Sequence, residues 1–289
     1  MIRHWTLLIA SLAAPVAAED GASMRALLAA EKALAPPTAT IRYGADDLRS
    51  GTLRLPAGPG PFPVAVMVHG GCWTAGYDTR SGIEPLAAAL AARGIATWNI
   101  EYRQVGEPGA GWPGSFHDVA DGIDHLPALA KRYRLDLKRV VVIGHSAGAH
   151  LALWLASRPR LGPEWRPKLS PAAVVAIDGP GTLAPFVGVD KEVCGKPVIV
   201  PFMGGTPAER PAAYAAASPM DHQPLGVRQY LVLGELGDLM KPYVAAAQAG
   251  GDKVAVLTPP GADHFDVVTP GTPTGDAVVA WIAKEAFGR

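Results

Sequence analysis

Short apolar runs alternate with helical stretches along the centre of the chain. The runs 64–69 (VAVMVH), 95–100 (IATWNI) and 140–144 (VVVIG) are mostly apolar, and segments with helical periodicity lie between them. Strands that are apolar on both faces and separated by helices are typical of a parallel sheet covered on both sides. The pattern therefore predicts an α/β fold with a mostly parallel central sheet and helices on both faces.

The same alternation extends over the rest of the chain. Further strands are predicted at 40–43, 51–55, 173–178, 230–234 and 253–258, and helices at 22–34, 83–92, 115–133, 147–157, 241–249 and 274–287. A composition of 49% hydrophobic and 18% charged residues over 289 positions suits one large core. We therefore expect a single domain over residues 19–289.

Residues 179–228 interrupt this rhythm. The segment is rich in Gly, Pro and Ala and shows weak periodicity, although it lies between two predicted strands. Long insertions of this kind in compact domains are often lids or substrate-binding excursions. We expect 179–228 to form a lid or an insertion that faces the substrate.

The first residues have the layout of a secretory signal peptide. Arg3 precedes an apolar run over 5–14, and small residues at 16–18 precede Glu19, so residues 1–18 are predicted to be removed by cleavage after Ala18. The alternatives are a membrane anchor or an ordinary buried helix. Because no segment reaches about 18 uninterrupted apolar residues, we expect no stable membrane insertion. The mature protein is expected to be exported to the periplasm or the extracellular space.

Export affects how the two cysteines are interpreted. Cys72 and Cys194 are the only cysteines of the chain. An oxidising compartment permits a disulfide between them, whereas two separate thiols are the alternative. The sequence leaves both possibilities open.

The charge balance excludes some classes of partner. Lys plus Arg and Asp plus Glu both total 26, which gives a formal net charge of zero. We therefore expect no nucleic-acid partner. The histidines form no HExxH or other metal-ligand pattern, so no metal and no cofactor is predicted. The oligomeric state stays open.

The segment 144-GHSAG-148 carries the first chemical signal. A predicted strand runs directly into it and a predicted helix follows, so Ser146 lies on an abrupt strand-to-helix turn. Gly144 and Gly148 allow neighbouring backbone to approach this turn closely. Because the context is a strand followed by a helix, the motif predicts that Ser146 is a nucleophile.

A serine nucleophile needs a base that is oriented by an acid. His264 lies in the loop after the last predicted strand and is the predicted base, whereas His145 and His150 are expected in core or capping roles. Asp238, in the turn after strand 230–234, is the predicted acid. Glu235 and Asp263 are the alternatives for that role.

The developing oxyanion of acyl transfer needs hydrogen-bond donors. The strand 64–69 ends in 69-HGGCW-73, a glycine turn with accessible backbone N–H groups. We predict an oxyanion hole formed by the N–H groups of Gly71, Cys72 and Ala147. The alternative is a tight turn with no catalytic role.

These motifs together resemble a known superfamily. HGGCW, GHSAGAH, the turn at Asp238 and DHF at 263–265 are similar to motifs of the α/β-hydrolase superfamily, and within it to the esterase and kynurenine formamidase-like (BD-FAE-like) group. The resemblance covers about residues 40–287. It implies an α/β-hydrolase fold in which Ser146, Asp238 and His264 are nucleophile, acid and base.

The expected function is that of an exported carboxylesterase that forms an acyl-enzyme. Its substrate is expected to be a small-molecule ester or amide. Hydrolysis of an aryl formamide or amide is one alternative. A non-catalytic binding protein that kept the hydrolase fold is another, because a fold does not guarantee an activity.

Overall fold

The computed structural model describes the backbone from residue 16 and the side chains from residue 21, in both cases to Arg289. Within this range, eight strands form one sheet in the order β1-β2-β4-β3-β5-β6-β7-β8. The strands are β1 (Ala39–Arg42), β2 (Ser50–Arg54), β3 (Phe62–Val68), β4 (Ala96–Ile100), β5 (Leu135–His145), β6 (Ala173–Ile177), β7 (Arg228–Val232) and β8 (Val254–Leu257). The β1–β2 and β2–β4 pairs are antiparallel, and all other pairs are parallel.

Ten α-helices connect or cover these strands in the same part of the chain. They are α1 (Val16–Lys32), α2 (Glu84–Ala92), α3 (Gly114–Asp124), α4 (Leu126–Tyr133), α5 (Ala147–Ser157), α6 (Asp190–Cys194), α7 (Ile199–Met203), α8 (Pro211–Ala216), α9 (Gly237–Ala249) and α10 (Pro273–Phe287).

The core consists of one apolar layer on each face of the sheet. In β3, Val64, Val66 and Val68 belong to one layer, and Ala65 and Met67 belong to the other. This alternation follows from the two-residue period of a strand. The continuous apolar runs in the sequence arise because both faces are covered, and the predicted α/β fold with a mostly parallel sheet is confirmed.

The prediction of one continuous helix over 115–133 was wrong, because this segment forms two helices. It is divided into α3 and α4 at His125. Pro127, in the first turn of α4, has no N–H to donate to the carbonyl of Ile123, so one continuous helix would lose a hydrogen bond there. A helix that starts near Pro127 was therefore the better prediction from the sequence.

The segment 179–228 lies between β6 and β7. It contains the three short helices α6, α7 and α8 rather than one long loop. Several of its residues line a cavity beside Ser146, as described below. That this segment moves as a lid stays a prediction.

Part of the N-terminal prediction lies outside the described residues. Residues 1–15 of the predicted signal peptide, and the side chains around the predicted cleavage site at Ala18, belong to this part. Among the helices that the structure describes, none has the length and apolar character needed to cross a membrane. Export stays a prediction.

Candidate active site

Ser146 occupies a strained turn between β5 and α5. Its φ of 54° and ψ of −120° lie outside the regions that non-glycine residues usually adopt. A Cβ on Gly144 would collide with the carbonyl oxygen of Gly148, and one on Gly148 would collide with that of Val68. The two glycines therefore allow the turn to pack against β3, as the GxSxG pattern predicted.

His264 forms a charge-assisted pair with an aspartate. Its Nδ1 donates to Oδ2 of Asp178 at 2.8 Å. Asp178 directly follows β6 and is fully buried. Its Oδ1 also accepts the backbone N–H groups of Gly234 at 2.9 Å and Leu236 at 3.0 Å. Hydrogen bonds of this kind stabilise a buried carboxylate, so Asp178 is suited to hold the imidazole.

The structure does not bring the predicted acid Asp238 to His264, and this prediction has to be corrected. Asp238 lies in the first turn of α9, its side chain is 86% exposed, and it forms an ion pair with Lys241. Because α9 begins at Gly237, Asp238 is already part of the helix, and its side chain faces solvent. The place at the imidazole is occupied by Asp178.

The two alternative acids do not contact the imidazole either. Glu235 accepts the backbone N–H of His264 at 3.2 Å, and Asp263 accepts the backbone N–H of Phe265 at 2.9 Å. Both carboxylates therefore shape the loop that carries His264. The sequence contains a signal for Asp178, an aspartate at the end of the apolar run AVVAID, but this position was predicted to be the last residue of a strand and not a site residue.

His145 precedes Ser146 and contacts the same loop. Its Nε2 donates to the carbonyl oxygen of His264 at 2.8 Å, and the two ring centroids lie 4.6 Å apart. Burial, together with the neighbouring imidazole, lowers the pKa of His145 well below its usual value. His145 is therefore neutral at physiological pH and acts as a fixed hydrogen-bond donor.

The turn after β3 has an unusual backbone. Gly71, Cys72 and Trp73 have φ values of 89°, 52° and 53°. The indole of Trp73 donates to the carbonyl oxygen of Ala147 at 3.1 Å, which ties this turn to the start of α5. The three residues predicted for the oxyanion hole, Gly71, Cys72 and Ala147, each line a cavity together with Ser146. Their catalytic role stays a prediction.

A buried ion pair lies next to the turn after β3. Nε2 of His69 lies 2.6 Å from Oε1 of Glu101, and the imidazole stacks on the ring of Tyr102. Burial alone would lower the pKa of His69, but the carboxylate of Glu101 outweighs this effect and raises it. In the same way, burial would raise the pKa of Glu101, and the imidazole brings it below the usual value. Both groups are therefore charged at mildly acidic pH.

A disulfide links the turn to the insertion. Cys72 and Cys194 are bonded, with their Cα atoms 6.2 Å apart, so the first of the two possibilities left open by the sequence is the one found. The hydroxyl of Tyr77 also donates to the carbonyl oxygen of Cys194 at 2.6 Å. The C-terminal end of α6 is thus attached to the turn that follows β3.

Two cavities open onto Ser146. The smaller has a volume of about 50 Å³ and lies beneath the insertion. The larger has a volume of about 450 Å³ and is lined by His264, Phe265 and residues of α1, among them Met24 and Leu27. In the part of the chain that the structure describes, no group of His, Cys, Asp or Glu side chains could hold a metal ion.

The strained serine after β5, the His264–Asp178 pair and the mostly parallel sheet define an α/β-hydrolase fold. Solved structures share it. Esterase B from Lactobacillus rhamnosis superposes with a TM-score of 0.74 over 98% of this chain and 96% of its own, at 17% identity. A hyperthermophilic esterase from the archaeon Pyrobaculum calidifontis gives a TM-score of 0.73 over 96% and 94%, at 18% identity. At such identities the likeness shows the fold.

The particular family follows from the sequence itself. The family described as BD-FAE matches residues 53–224, which is more than half of the chain, and the protein belongs to this family. The resemblance noted in the sequence is thereby confirmed. The match includes HGGCW, the GHSAG turn and Asp178, whereas His264 lies beyond it.

Several curated relatives carry esterase names. Esterase LipC of Mycobacterium tuberculosis is 27% identical over 229 residues, which cover 74% of this chain and 56% of that protein. A probable isoprenylcysteine alpha-carbonyl methylesterase of Oryza sativa subsp. japonica is 32% identical over 114 residues, or 39% and 27% of the two chains. The chain therefore spans about half, or less, of the length of these relatives.

Proposed function

We propose that the protein is a serine hydrolase of carboxylic esters in which Ser146, His264 and Asp178 form a catalytic triad. The observation that carries this proposal is the 2.8 Å bond between Nδ1 of His264 and Asp178, next to a serine held in a strained turn. A proton on Nδ1 leaves the lone pair of Nε2 free to accept the proton of Ser146. The triad thus differs from the sequence prediction in its acid.

The residues present account for each step of ester hydrolysis. Oγ of Ser146 attacks the acyl carbon while Nε2 of His264 accepts its proton, and the carboxylate of Asp178 stabilises the resulting imidazolium. The N–H groups of Gly71, Cys72 and Ala147 stabilise the tetrahedral oxyanion. The alcohol leaves with the proton from His264. A water molecule, deprotonated by the same imidazole, then releases the acid.

An ester is favoured over an amide by the names of the relatives. LipC is named an esterase, and the rice protein a probable methylesterase. Hydrolysis of an aryl formamide therefore becomes the second candidate. The proposed substrate is a small molecule, because the two cavities beside Ser146 together measure about 500 Å³.

Export is part of this proposal. Its support is the signal-peptide layout of residues 1–18 and the Cys72–Cys194 disulfide, since disulfides persist mainly in oxidising compartments. Expression of the full chain in a Gram-negative host, fractionation and N-terminal sequencing test it. A mature chain that starts at Glu19 in the periplasm supports export. Intact chain that stays in the cytosol contradicts it.

Covalent labelling tests the nucleophile. Wild type, Ser146→Ala and Ser170→Ala are incubated with a fluorophosphonate and assayed on p-nitrophenyl acetate and on an aryl formamide. Ser170 is exposed, so its variant is the matched control. We expect Ser146→Ala alone to lose labelling and hydrolysis. Labelling that persists in Ser146→Ala would contradict the proposal, and hydrolysis of the formamide alone would select the second candidate.

A further inference from the structure

The two cavities beside Ser146 can be assigned to the two halves of an ester. In the proposed reaction, His264 protonates the oxygen of the leaving alcohol, so that alcohol has to lie on the side of the imidazole. His264 lines the larger cavity and is not among the residues that line the smaller one. We therefore expect the alcohol of the proposed substrate in the larger cavity and its acyl group in the smaller one.

The acyl cavity, as the smaller one is called from here on, is narrow and mostly apolar. Trp73, Phe186, Ile199 and Leu239 contribute its apolar walls. Its volume of about 50 Å³ is far smaller than the about 450 Å³ of the other cavity, so we expect it to favour short acyl groups. Residues of α6 and α7 line this cavity, so we expect a longer acyl chain to fit only if these helices move.

The disulfide borders this cavity. Cys72 lines both cavities and Cys194 lines the acyl cavity, so the crosslink lies at the boundary between them. Val193, next to Cys194, also lines both cavities. Because Cys72 belongs to the turn after β3, the crosslink fixes the distance between this turn and α6.

The other end of α6 is attached to the insertion itself. The carboxylate of Asp190 accepts the backbone N–H groups of Val198 at 2.7 Å and Ile199 at 2.8 Å, which joins the start of α6 to the start of α7. These bonds keep α6 and α7 together as one unit. The disulfide and the Tyr77 hydrogen bond attach that unit to the turn after β3.

We propose that the Cys72–Cys194 disulfide determines acyl-chain specificity by holding α6 over the acyl cavity. This inference rests on the ester hydrolysis proposed above. With the crosslink intact, the cavity accepts short acyl groups and excludes long ones. When the crosslink is broken, α6 and α7 can move away together from the turn, and the cavity accepts longer chains.

An acyl-chain series on matched variants tests this proposal. Wild type, Cys194→Ser, Leu239→Ala and Ser170→Ala are assayed on p-nitrophenyl acetate, butyrate and octanoate. Leu239→Ala widens the acyl cavity while the disulfide stays intact. We expect wild type and Ser170→Ala to prefer acetate or butyrate over octanoate by at least about tenfold in kcat/KM. In Cys194→Ser and Leu239→Ala, the ratio of octanoate to acetate should rise about tenfold.

The outcomes separate specificity from a general structural role. An equal loss of kcat/KM on all three esters in Cys194→Ser would overturn the proposal, because the disulfide would then only support the fold or the turn after β3. Equal kcat/KM values of wild type on octanoate and acetate would overturn the assignment of the acyl cavity. If wild type hydrolyses none of the esters and is not labelled at Ser146, the proposed function itself fails.

Reduction of the folded wild type is the second route if Cys194→Ser does not fold. The protein is treated with a phosphine reductant, thiol content is measured, and near-UV circular dichroism verifies that the tertiary structure is retained. The reduced protein should show the same rise in the octanoate-to-acetate ratio, and reoxidation should reverse it. A reduced, folded protein with an unchanged ratio would overturn the proposal.

Discussion

The imidazole of His145 donates a hydrogen bond to the backbone carbonyl oxygen of His264, at 2.8 Å. This bond joins the residue just before the proposed nucleophile to the loop that carries the proposed base. Because His145 is buried and its pKa lies well below the usual value, it stays a neutral donor throughout the physiological pH range. A neighbour of the serine therefore helps to set the position of His264, together with Asp178 and Glu235.

Replacing His145 should affect the chemical step. In His145→Leu the volume is nearly retained but the donor is lost, so we expect kcat on p-nitrophenyl acetate to fall about tenfold, as expected for a base displaced from a productive geometry. KM should change little. His145→Gln, which keeps a donor, should recover part of kcat. A rise in KM with unchanged kcat would show that His145 does not position the base.

The identity of the acid is tested by a pair of substitutions. Asp178→Asn should lower kcat by about 10³–10⁴, because the amide no longer favours the required tautomer of His264 or stabilises its charged form. Asp238→Asn should leave kcat within about twofold, because that side chain is exposed and paired with Lys241. Steady-state kinetics on both variants measures these changes in kcat. A large loss of kcat in Asp238→Asn and a small one in Asp178→Asn would restore Asp238 as the predicted acid.

The sequence was sufficient for the order of strands along the chain and for the serine turn, because both depend on local patterns. The apolar runs reflect a sheet covered on both faces, and GxSxG reflects backbone contacts within a few residues and with β3. Which carboxylate can reach His264, by contrast, depends on which strand ends lie next to each other. Asp178 reaches His264 because the turn after β7 supplies two N–H groups to its carboxylate, a relation between residues 56 and 58 positions apart.

The same reasoning explains the other differences. The cavities and the supporting pair of His69 and Glu101 arise from contacts between distant segments, which periodicity does not encode. The break between α3 and α4 was, by contrast, visible in the sequence at Pro127. It was missed because the apolar pattern on its two sides continues.

The buried ion pair of His69 and Glu101, next to the turn after β3, should contribute strongly to stability. Glu101→Gln removes the carboxylate that keeps the buried imidazole of His69 charged, and breaking a buried pair in this way costs about 3–5 kcal/mol of unfolding free energy. The raised pKa of His69 means that its contribution is complete below the unfolded value of about 6.5 and is lost as pH rises through the folded pKa. The loss in Glu101→Gln should thus be larger at pH 6 than at pH 9.

Denaturant unfolding of wild type and Glu101→Gln at both pH values measures this effect. The exposed pair of Asp46 and Arg49 offers a control, since Asp46→Asn should change the unfolding free energy by less than about 1 kcal/mol. An equal effect of Glu101→Gln at pH 6 and pH 9 would show that the charge on His69 contributes nothing.

His150 should make the protein sensitive to acid. Burial lowers its pKa to about 4, although the hydrogen bond to the carbonyl of Ala217 opposes the shift. A lowered folded pKa means that the stabilisation is complete above the unfolded value of about 6.5 and is lost as pH falls towards 4. Between pH 7 and pH 5, His150 should therefore remove about 2 kcal/mol of unfolding free energy.

The variant His150→Gln keeps a donor for Ala217 but cannot be protonated. Urea unfolding at pH 7 and pH 5 should give a smaller decrease in unfolding free energy for this variant than for wild type, by about 2 kcal/mol. His145, whose pKa is also lowered, contributes equally to both proteins. Identical decreases in the two proteins would show that His150 is protonated without cost.

The separation of the paired residues along the chain has a consequence for biosynthesis. Asp178 and His264 are 86 residues apart, and β7 and β8 lie between them. At about 5–20 residues per second, a ribosome needs about 4–17 s to add that length. During this interval the nascent chain carries the proposed nucleophile and acid without the proposed base. A product that ends before β8 lacks the proposed base and leaves the mostly buried strand β7 as the edge of the sheet in place of β8, a form open to aggregation and proteolysis.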